Sequence, residues 1–217
     1  MIRNCEKTAQ SLPPVAEMEQ LAEGVCPVDW ARTVAKTAWE ANCGQGTFCR
    51  DGLAQVFTII DDIARDKGRS GDLELLAELC GDIVAMADCE LSVGCAQRVL
   101  ASLEGHRAEW EAHLDRKRCT ALVCRGCYTV HVDPAKCTGC GQCMAVCPDG
   151  CIAGGEGMIH VVDSSACSRC GKCFEACPAG AFMKAGAVKP RVPEAPVPVG
   201  SFSTGATRRR RRPGGGA

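Results

Sequence analysis

The sequence predicts an α+β fold, in which a small N-terminal helical bundle precedes a cysteine-rich domain of short strands and a disordered C-terminal tail. Apolar residues recur at helical spacing from residue 15 to about residue 115. After Cys119 the pattern changes to short β-prone segments that alternate with glycine and cysteine. The 217 residues, 46% of them hydrophobic, suffice for two small domains. We therefore expect an N-terminal extension (1–25), a helical domain (26–116), a hinge (117–127), the cysteine-rich domain (128–185) and the tail (186–217).

Four main helices are expected in the helical domain. They run from about Trp30 to Glu40, from Gly52 to Lys67, from Asp72 to Met86, and from about Ala96 to Leu114. Gly68 is expected to end the second helix, and Asp72 to cap the third. Each helix has one apolar stripe, such as Leu53, Val56, Phe57, Ile60 and Ile63 in the second. Such stripes predict a small bundle in which the apolar faces meet.

The cysteine content predicts bound metal. The chain has 19 cysteines but only 4% aromatic residues, so large core-filling rings are scarce. We see no leader-peptide pattern and no apolar run of roughly 18 to 20 residues that could span a bilayer. We therefore expect a cytoplasmic, reducing setting, in which cysteines at C-x-x-C spacing are metal ligands rather than disulfide partners.

Eight of these cysteines form two copies of one motif. The copies read Cys137-Thr-Gly-Cys140-Gly-Gln-Cys143-Met-Ala-Val-Cys147-Pro and Cys167-Ser-Arg-Cys170-Gly-Lys-Cys173-Phe-Glu-Ala-Cys177-Pro. In the bacterial ferredoxin run the first three cysteines bind one [4Fe–4S] cluster and the fourth binds the other. This predicts one cluster on Cys137, Cys140, Cys143 and Cys177, and a second on Cys167, Cys170, Cys173 and Cys147. Zinc sites, the alternative, use two pairs of ligands and lack the third cysteine and the proline.

Residues 128 to 185 thus resemble a bacterial ferredoxin domain with two [4Fe–4S] clusters. Glycines Gly141 and Gly171 are expected to let the backbone approach the sulfurs. Cys151 lies outside the first copy, where Ala181 stands in the second. We interpret Cys151 as a small buried core residue.

The helical domain resembles a second iron–sulfur family. The stretch from Asn42 to Gly52, NCGQGTFCRDG, is similar to the S-C-G-x-C-x-x-C-R-E-G motif of NADH-oxidising subunits in complex I, NAD(P)-linked formate dehydrogenases and bifurcating hydrogenases. Cys89-Glu-Leu-Ser-Val-Gly-Cys95 falls where that family has its fourth ligand, in a C-x-L-G-like element. In the bifurcating hydrogenase subunits a ferredoxin domain with two clusters follows directly, as it does here.

One departure affects this third site. Gly46 stands where the family has its middle cysteine, so the resemblance implies only Cys43, Cys49 and Cys89 as ligands. Cys95 and Cys80 are candidate replacements for the missing ligand. The alternative is that the cluster has been lost and the helical bundle remains as a docking module.

The hinge cysteines suggest a zinc site. Cys119 and Cys124 resemble a C-P-A-G-V-C segment of the hydrogenase subunits, and His160 matches a histidine there. The resemblance implies zinc on Cys119, Cys124 and His160, with Cys127 or Cys26 as the fourth ligand. Alternatively, His160 is an ordinary strand residue and the cysteines only pack the hinge. His106, His113 and His131 are interpreted as isolated histidines.

These features predict an electron-transfer subunit of a multisubunit oxidoreductase. It would relay single low-potential electrons between a flavoprotein, hydrogenase or dehydrogenase subunit and ferredoxin. Full-length relatives place an FMN- and NADH-binding domain ahead of this region, and we expect the chain alone not to oxidise NADH. A redox- or iron-sensing interaction protein and a free-standing ferredoxin are the alternatives. The run from Arg208 to Arg212 is most simply a solvated end, and we do not expect nucleic acid as a partner.

Overall fold

The computed structural model describes residues 8–14 and 24–203, and the chain divides into two compact units between Tyr128 and Thr129. Within the described residues, the first unit is helical and the second contains the strands. No helix of the described part is both long and apolar enough to cross a membrane. Each described cysteine is a free thiol.

The described residues of the first unit form five α-helices. They are α1 (Pro27–Ala41), α2 (Leu53–Ala64), α3 (Asp72–Met86), α4 (Glu90–Gly105) and α5 (Arg107–Arg116). Proline opens α1, where its missing N–H costs no hydrogen bond. A π-helical turn (Phe48–Gly52) runs directly into α2, and short 3₁₀ turns lie at Ala9–Ser11 and Arg125–Cys127.

The apolar stripes of these helices meet in one core. Helix α2 buries Leu53, Val56, Ile60, Ile63 and Ala64, and α3 buries Leu73, Leu76, Cys80 and Ile83. The predicted helical bundle is thereby confirmed. At the start of α3 the cap is Gly71 in the left-handed region (φ +91°) rather than Asp72, whose carboxylate accepts a hydrogen bond from the N–H of Arg69.

The predicted fourth helix is two helices in the structure. Helix α4 begins already at Glu90 and ends at Gly105, and His106 leaves the helical region with φ −132° and ψ 34°. Glycine is a poor helix former, so a break there is inexpensive. The break lets α5 bury Trp110 and His113 completely, and the indole N–H of Trp110 donates to Ser102 Oγ at 3.3 Å. The second helix is also shorter than its predicted range of Gly52 to Lys67, since it runs from Leu53 to Ala64.

The second unit is built from short antiparallel strand pairs and two one-turn helices. Strand β1 (Thr129–Val132) pairs with β5 (Phe182–Ala185), β2 (Ile152–Ala153) with β4 (Val161–Val162), and β3 (Met158–Ile159) with β6 (Val197–Pro198). Helices α6 (Gln142–Val146) and α7 (Lys172–Ala176) occupy corresponding positions in the two copies of the motif.

The structure corrects where the tail begins. The sequence predicts disorder from residue 186, yet β6 adds Val197 and Pro198 to the second unit. Val197 and Phe202 pack against the cluster of Val132 and Ile159, so two apolar side chains in a proline-rich stretch are enough to hold it. Residues 204–217, which include the arginine run, lie outside the described residues.

Candidate iron–sulfur and metal sites

Two open cavities in the second unit are lined by the eight motif cysteines. Cavity 1, of about 280 Å³, is lined by Cys137, Cys140, Cys143 and Cys177. Cavity 2, of about 320 Å³, is lined by Cys167, Cys170, Cys173 and Cys147. The fourth cysteine of each motif therefore lies with the first three of the other copy. The structure brings together the same two sets of four that the spacing predicts.

Glycines shape the loops around these cavities. Gly141 and Gly171 precede α6 and α7 with φ +75° and +89°, in the left-handed region that favours glycine. A Cβ at either position would meet no protein atom within 4 Å, so the left-handed conformation is the requirement for glycine that the structure shows there. A close approach of two backbone segments occurs at Gly139, where a Cβ would lie 2.7 Å from Gly157 Cα.

Backbone N–H groups point at three of the predicted ligand sulfurs. The N–H of Arg169 donates to Cys167 Sγ and that of Ala181 to Cys177 Sγ, each at 3.4 Å. The N–H of His160 donates to Cys137 Sγ at 3.5 Å. Hydrogen bonds of this kind favour the charged thiolate, the form that binds iron. These residues therefore fit a cluster in each cavity.

Burial opposes ionisation elsewhere in the same loops. It raises the pKa of the Cys143 and Cys173 thiols to about 11 in the metal-free protein. These two thiols keep their protons at neutral pH until a metal displaces them.

Cys151 contacts a predicted ligand. It is buried, as expected for a core residue, but it also lines cavity 2 with its Sγ 3.4 Å from Cys147 Sγ. Ala181, its counterpart at cavity 1, offers only a backbone N–H to Cys177. The two cavities therefore differ by one additional thiol.

A four-residue metal-binding arrangement lies in the first unit. Cys26, His113, Cys119 and Cys124 are all buried, and one ligand atom of each lies within 4.8 Å of the others. Cys26 Sγ is 3.4 Å from His113 Nε2 and 3.7 Å from Cys124 Sγ. We call these four residues the hinge tetrad. Three thiols and one imidazole are a typical zinc ligand set.

The tetrad corrects the predicted histidine. His160 lies in the second unit, with Nδ1 3.5 Å from Cys137 Sγ, and it lines cavity 1. His113, which was interpreted from the sequence as an isolated histidine, lies beside Cys119 and Cys124 instead of His160. Of the two proposed fourth ligands, Cys26 belongs to the group and Cys127 does not. The signal available in the sequence was the short spacing of His113, Cys119 and Cys124 in one stretch.

Helix α5 fixes the orientation of His113. Its Nδ1 donates to the backbone carbonyl of Glu109, one turn earlier, at 2.7 Å. This hydrogen bond fixes the orientation of the ring and turns Nε2 toward the thiols, where it can bind a metal once it has lost its proton. The Glu109 carboxylate accepts hydrogen bonds from the N–H and the hydroxyl of Thr120, both at 2.9 Å. These bonds tie Thr120, which follows Cys119 in the chain, to helix α5.

The thiols and the imidazole of the tetrad shift one another's pKa values. Hydrogen bonds from Cys124, Cys26 and His113 hold the pKa of the Cys119 thiol well below its usual range. Burial acts to lower the pKa of His113, but hydrogen bonding to Cys119 and Cys26 outweighs it and raises that pKa to about 10. The pattern is that of an imidazolium paired with a thiolate in a buried site.

A third group of cysteines lies in the helical bundle. Cys49 is on the π-helical turn, a feature that is frequent at functional sites, and Cys89 is the N-cap of α4. Cys49 interacts with Cys89 and Cys43, and its Sγ is 2.9 Å from Ser92 Oγ. Burial is the main cause that raises the pKa of Cys49 to about 12.

Position 46 faces the same sulfur. A Cβ at Gly46 would have Cys49 Sγ as its neighbour at 3.9 Å. The two candidate replacements for the missing ligand, Cys95 and Cys80, interact with each other, and burial raises the pKa of each thiol to about 12. Ser92 was not among the residues that the sequence singled out.

Comparison with known proteins matches both units. Residues 29–113 match the family model of the NADH-ubiquinone oxidoreductase-F iron-sulfur binding region, and residues 129–178 match that of a 4Fe-4S dicluster domain.

Among individual proteins, the chain is 37% identical over 143 residues to the NADP-reducing hydrogenase subunit HndC of Solidesulfovibrio fructosivorans. The match covers 66% of this chain and 29% of HndC. It is 34% identical over 97 residues to the F 2 subunit of NADH-quinone oxidoreductase from Rhizobium meliloti, covering 45% of this chain and 23% of that one. The chain thus spans less than a third of the length of these relatives. This chain therefore contains an iron–sulfur binding region of the NADH-ubiquinone oxidoreductase-F type and a 4Fe-4S dicluster domain, and over part of its length it is homologous to HndC and to the F subunits of NADH-quinone oxidoreductase.

Proposed function

We propose that this chain is an electron-transfer subunit of a multisubunit oxidoreductase and binds two [4Fe–4S] clusters in its second unit. One cluster is held by Cys137, Cys140, Cys143 and Cys177, and the other by Cys167, Cys170, Cys173 and Cys147. The observation that carries the proposal is the crossed lining of the two cavities. When bound, such clusters supply reversible one-electron chemistry.

The protein's own contribution is to hold the clusters and tune their potentials. Six of the eight thiols are buried or half-buried, and N–H groups donate to Cys137, Cys167 and Cys177. Hydrogen bonds to sulfur and restricted solvent access are the means by which a protein sets a cluster's potential. No acid or base is required of any side chain for this role.

The relatives support partners of two kinds. HndC is by name a subunit of an NADP-reducing hydrogenase, and the other relatives are subunits of NADH-quinone oxidoreductase. We propose that this chain passes single low-potential electrons between a flavoprotein or hydrogenase-type subunit and ferredoxin. The free thiols of the described residues favour a reducing compartment such as the cytoplasm.

Redox titration and affinity purification test this function. The full chain, purified anaerobically, is reduced stepwise while its electron paramagnetic resonance (EPR) spectrum is followed, and a tagged copy is purified from its native cells. Reversible one-electron reduction at low potential, with a copurifying flavin-containing oxidoreductase subunit, is the expected result. Clusters that are destroyed rather than reduced, together with salt-sensitive binding to nucleic acid, would instead indicate a sensing protein.

We further propose that the hinge tetrad binds one zinc ion as a structural site. The supporting observation is that three buried thiols and an oriented imidazole converge within 4.8 Å. Cys124→Ala is expected to abolish bound zinc, whereas Cys127→Ala, a change at a neighbouring buried cysteine outside the tetrad, is expected to retain it. Equal zinc content in the two variants, measured by elemental analysis, would refute the assignment.

A further inference from the structure

The two cavities have different side chains at one corresponding position of the repeat. Val130 stands seven residues before Cys137 and lines cavity 2. His160 stands seven residues before Cys167 and lines cavity 1. The two residues are therefore counterparts, and of the two only the histidine can form a hydrogen bond through its side chain.

The imidazole of His160 is directed at a predicted cluster ligand. The residue is 2% exposed, and its Nδ1 lies 3.5 Å from Cys137 Sγ. The other ring nitrogen, Nε2, is buried and has no hydrogen-bond partner among the described residues. The described part of the chain thus gives the ring a single hydrogen-bond partner, the sulfur of Cys137.

Gly154 fixes the position of the ring. A Cβ at position 154 would clash with the ring carbon Cδ2 of His160 and would lie 3.0 Å from Nε2. The imidazole therefore takes the space that a side chain at position 154 would need. Since packing this close leaves the ring little freedom to move, the contact with Cys137 is a property of the fold.

The direction of the hydrogen bond follows from the chemistry of an iron-bound cysteine. Such a sulfur has lost its proton and can only accept. The proton must then be on Nδ1 of His160, whether the ring is neutral or charged. The backbone N–H of His160 also donates to Cys137 Sγ, at 3.5 Å, so one residue supplies two donors to one sulfur.

Donors at a ligand sulfur stabilise the reduced form of a cluster more than the oxidised form. Reduction adds one electron and hence one negative charge, and a hydrogen bond strengthens as its acceptor becomes more negative. A donor at Cys137 Sγ therefore raises the reduction potential of the cluster that this sulfur binds. Val130 makes no such contribution at cavity 2.

We propose that His160 is a positioning residue that donates from Nδ1 to Cys137 Sγ and thereby raises the reduction potential of the cluster in cavity 1. The proposal rests on the proposed binding of two clusters in the second unit. It adds a difference between the two clusters that the cysteine motif, which has the same spacing in both copies, does not contain. The contribution of His160 favours residence of an electron in cavity 1.

The electron transfer that His160 influences forms and breaks no bond. One electron leaves the flavoprotein or hydrogenase-type subunit proposed above, which is oxidised by one electron. The electron converts a [4Fe–4S]²⁺ core into [4Fe–4S]⁺. Nδ1 keeps its proton throughout, and only the strength of its hydrogen bond changes.

The test replaces His160 in the full chain by two side chains that differ in a donor. His160→Val gives cavity 1 the residue found at cavity 2, whereas His160→Asn keeps an N–H near the place of Nδ1. At a fixed potential, His160→Val is expected to lower the ratio of reduced to oxidised cluster about three- to tenfold, a shift of about 30 to 60 mV to lower potential. His160→Asn should stay closer to wild type. Redox titration followed by EPR, on anaerobically reconstituted protein, measures the ratio.

His131→Val is the matched control. His131 lies in the same unit, but its Nε2 is 2.7 Å from Thr129 Oγ1, and the residue is absent from the linings of both cavities. This variant should have the potentials of wild type.

A spectroscopic measurement locates the ring directly. In protein whose histidines carry ¹⁵N only in the ring, pulsed EPR of the reduced clusters should show a weak nitrogen coupling in wild type and in His131→Val. The coupling should be lost in His160→Val and in His160→Asn, because neither has an imidazole beside Cys137.

The outcomes distinguish failure of this proposal from failure of the proposed function. With about eight or more irons bound, unchanged potentials in His160→Val, or an equal shift in either His131→Val or His160→Asn, would overturn the role of His160 alone. Should His160→Val lose about four irons, the nitrogen coupling of wild type decides, and its absence overturns the proposal. Fewer than about eight irons in wild type would overturn the proposed function together with this proposal.

Discussion

Cys151 and Ala181 occupy corresponding positions beside the two crossing cysteines. Cys151 places a second thiol 3.4 Å from Cys147, whereas Ala181 leaves Cys177 with no such neighbour. The two copies of the cysteine motif have the same spacing, but the residues beside their fourth cysteines differ. The two clusters should therefore tolerate loss of their fourth ligand unequally.

Cys147→Ala is expected to retain the cluster of cavity 2, because Cys151 can replace the missing thiolate. Cys177→Ala is expected to lose about one to four irons from cavity 1. Iron and sulfide analysis of both variants measures the difference. The double variant Cys147→Ala/Cys151→Ala should behave like Cys177→Ala, and equal losses in the two single variants would contradict the prediction.

The pKa of His113 predicts how zinc binding depends on pH. Since that pKa is raised to about 10, the metal-free imidazole holds its proton at neutral pH and must release it before Nε2 can bind zinc. Apparent zinc affinity should therefore rise as pH increases from about 7 toward 10. Competition with a chelator of known pH dependence measures this, and an affinity that stays constant or falls would refute the coupling.

The eight motif cysteines could be predicted because all the information lies in their spacing. His113 could not be assigned in this way, because it reaches Cys26 only through the packing of α5 against α1. Ser92 could not be singled out from the sequence either, because a serine within a helix belongs to no motif, and its 2.9 Å contact with Cys49 Sγ exists only in the folded structure.

At the scale of elements, helix α3 illustrates how one stripe stabilises the bundle. Leu76 is fully buried, while the adjacent Leu75 is 51% exposed. Leu76→Ala should lower the free energy of unfolding of the first unit by about 2 to 5 kcal/mol, because it leaves a cavity. Leu75→Ala should change it by no more than about 0.5 kcal/mol.

Tryptophan fluorescence during denaturant unfolding measures both variants, since all three tryptophans of the chain, Trp30, Trp39 and Trp110, lie in the first unit. A similar loss in the two variants would show that burial of this stripe does not determine the stability of the unit.

Helix boundaries show where sequence reasoning stops. Helix α3 matched its prediction because a turn precedes it and its stripe is regular. The break at His106 was missed because apolar residues continue at helical spacing through Gly105 into α5. The break allows both Trp110 and His113 to be buried, and this tertiary packing cannot be read from the periodicity. The start of the tail was missed for a related reason, since β6 depends on its pairing with β3.

At the scale of the whole molecule, each unit has its own arrangement of candidate metal ligands. The second unit has two cavities lined by crossed sets of cysteines, and the first has the hinge tetrad and the group of Cys43, Cys49 and Cys89. The family comparisons divide the chain in the same way, because one matched family region lies in each unit. This distribution of candidate ligands supports the proposed role in electron transfer.

The account depends on crossed ligand sets that bring two clusters close together in the second unit. EPR spectroscopy of the fully reduced, anaerobically purified full chain, with iron and sulfide counted on the same sample, tests this most directly. The account predicts at least about eight irons and eight sulfides per chain, and a spectrum broadened by magnetic interaction between two neighbouring reduced clusters. Zinc in place of iron at the motif cysteines, or reduced clusters that show no interaction, would contradict it.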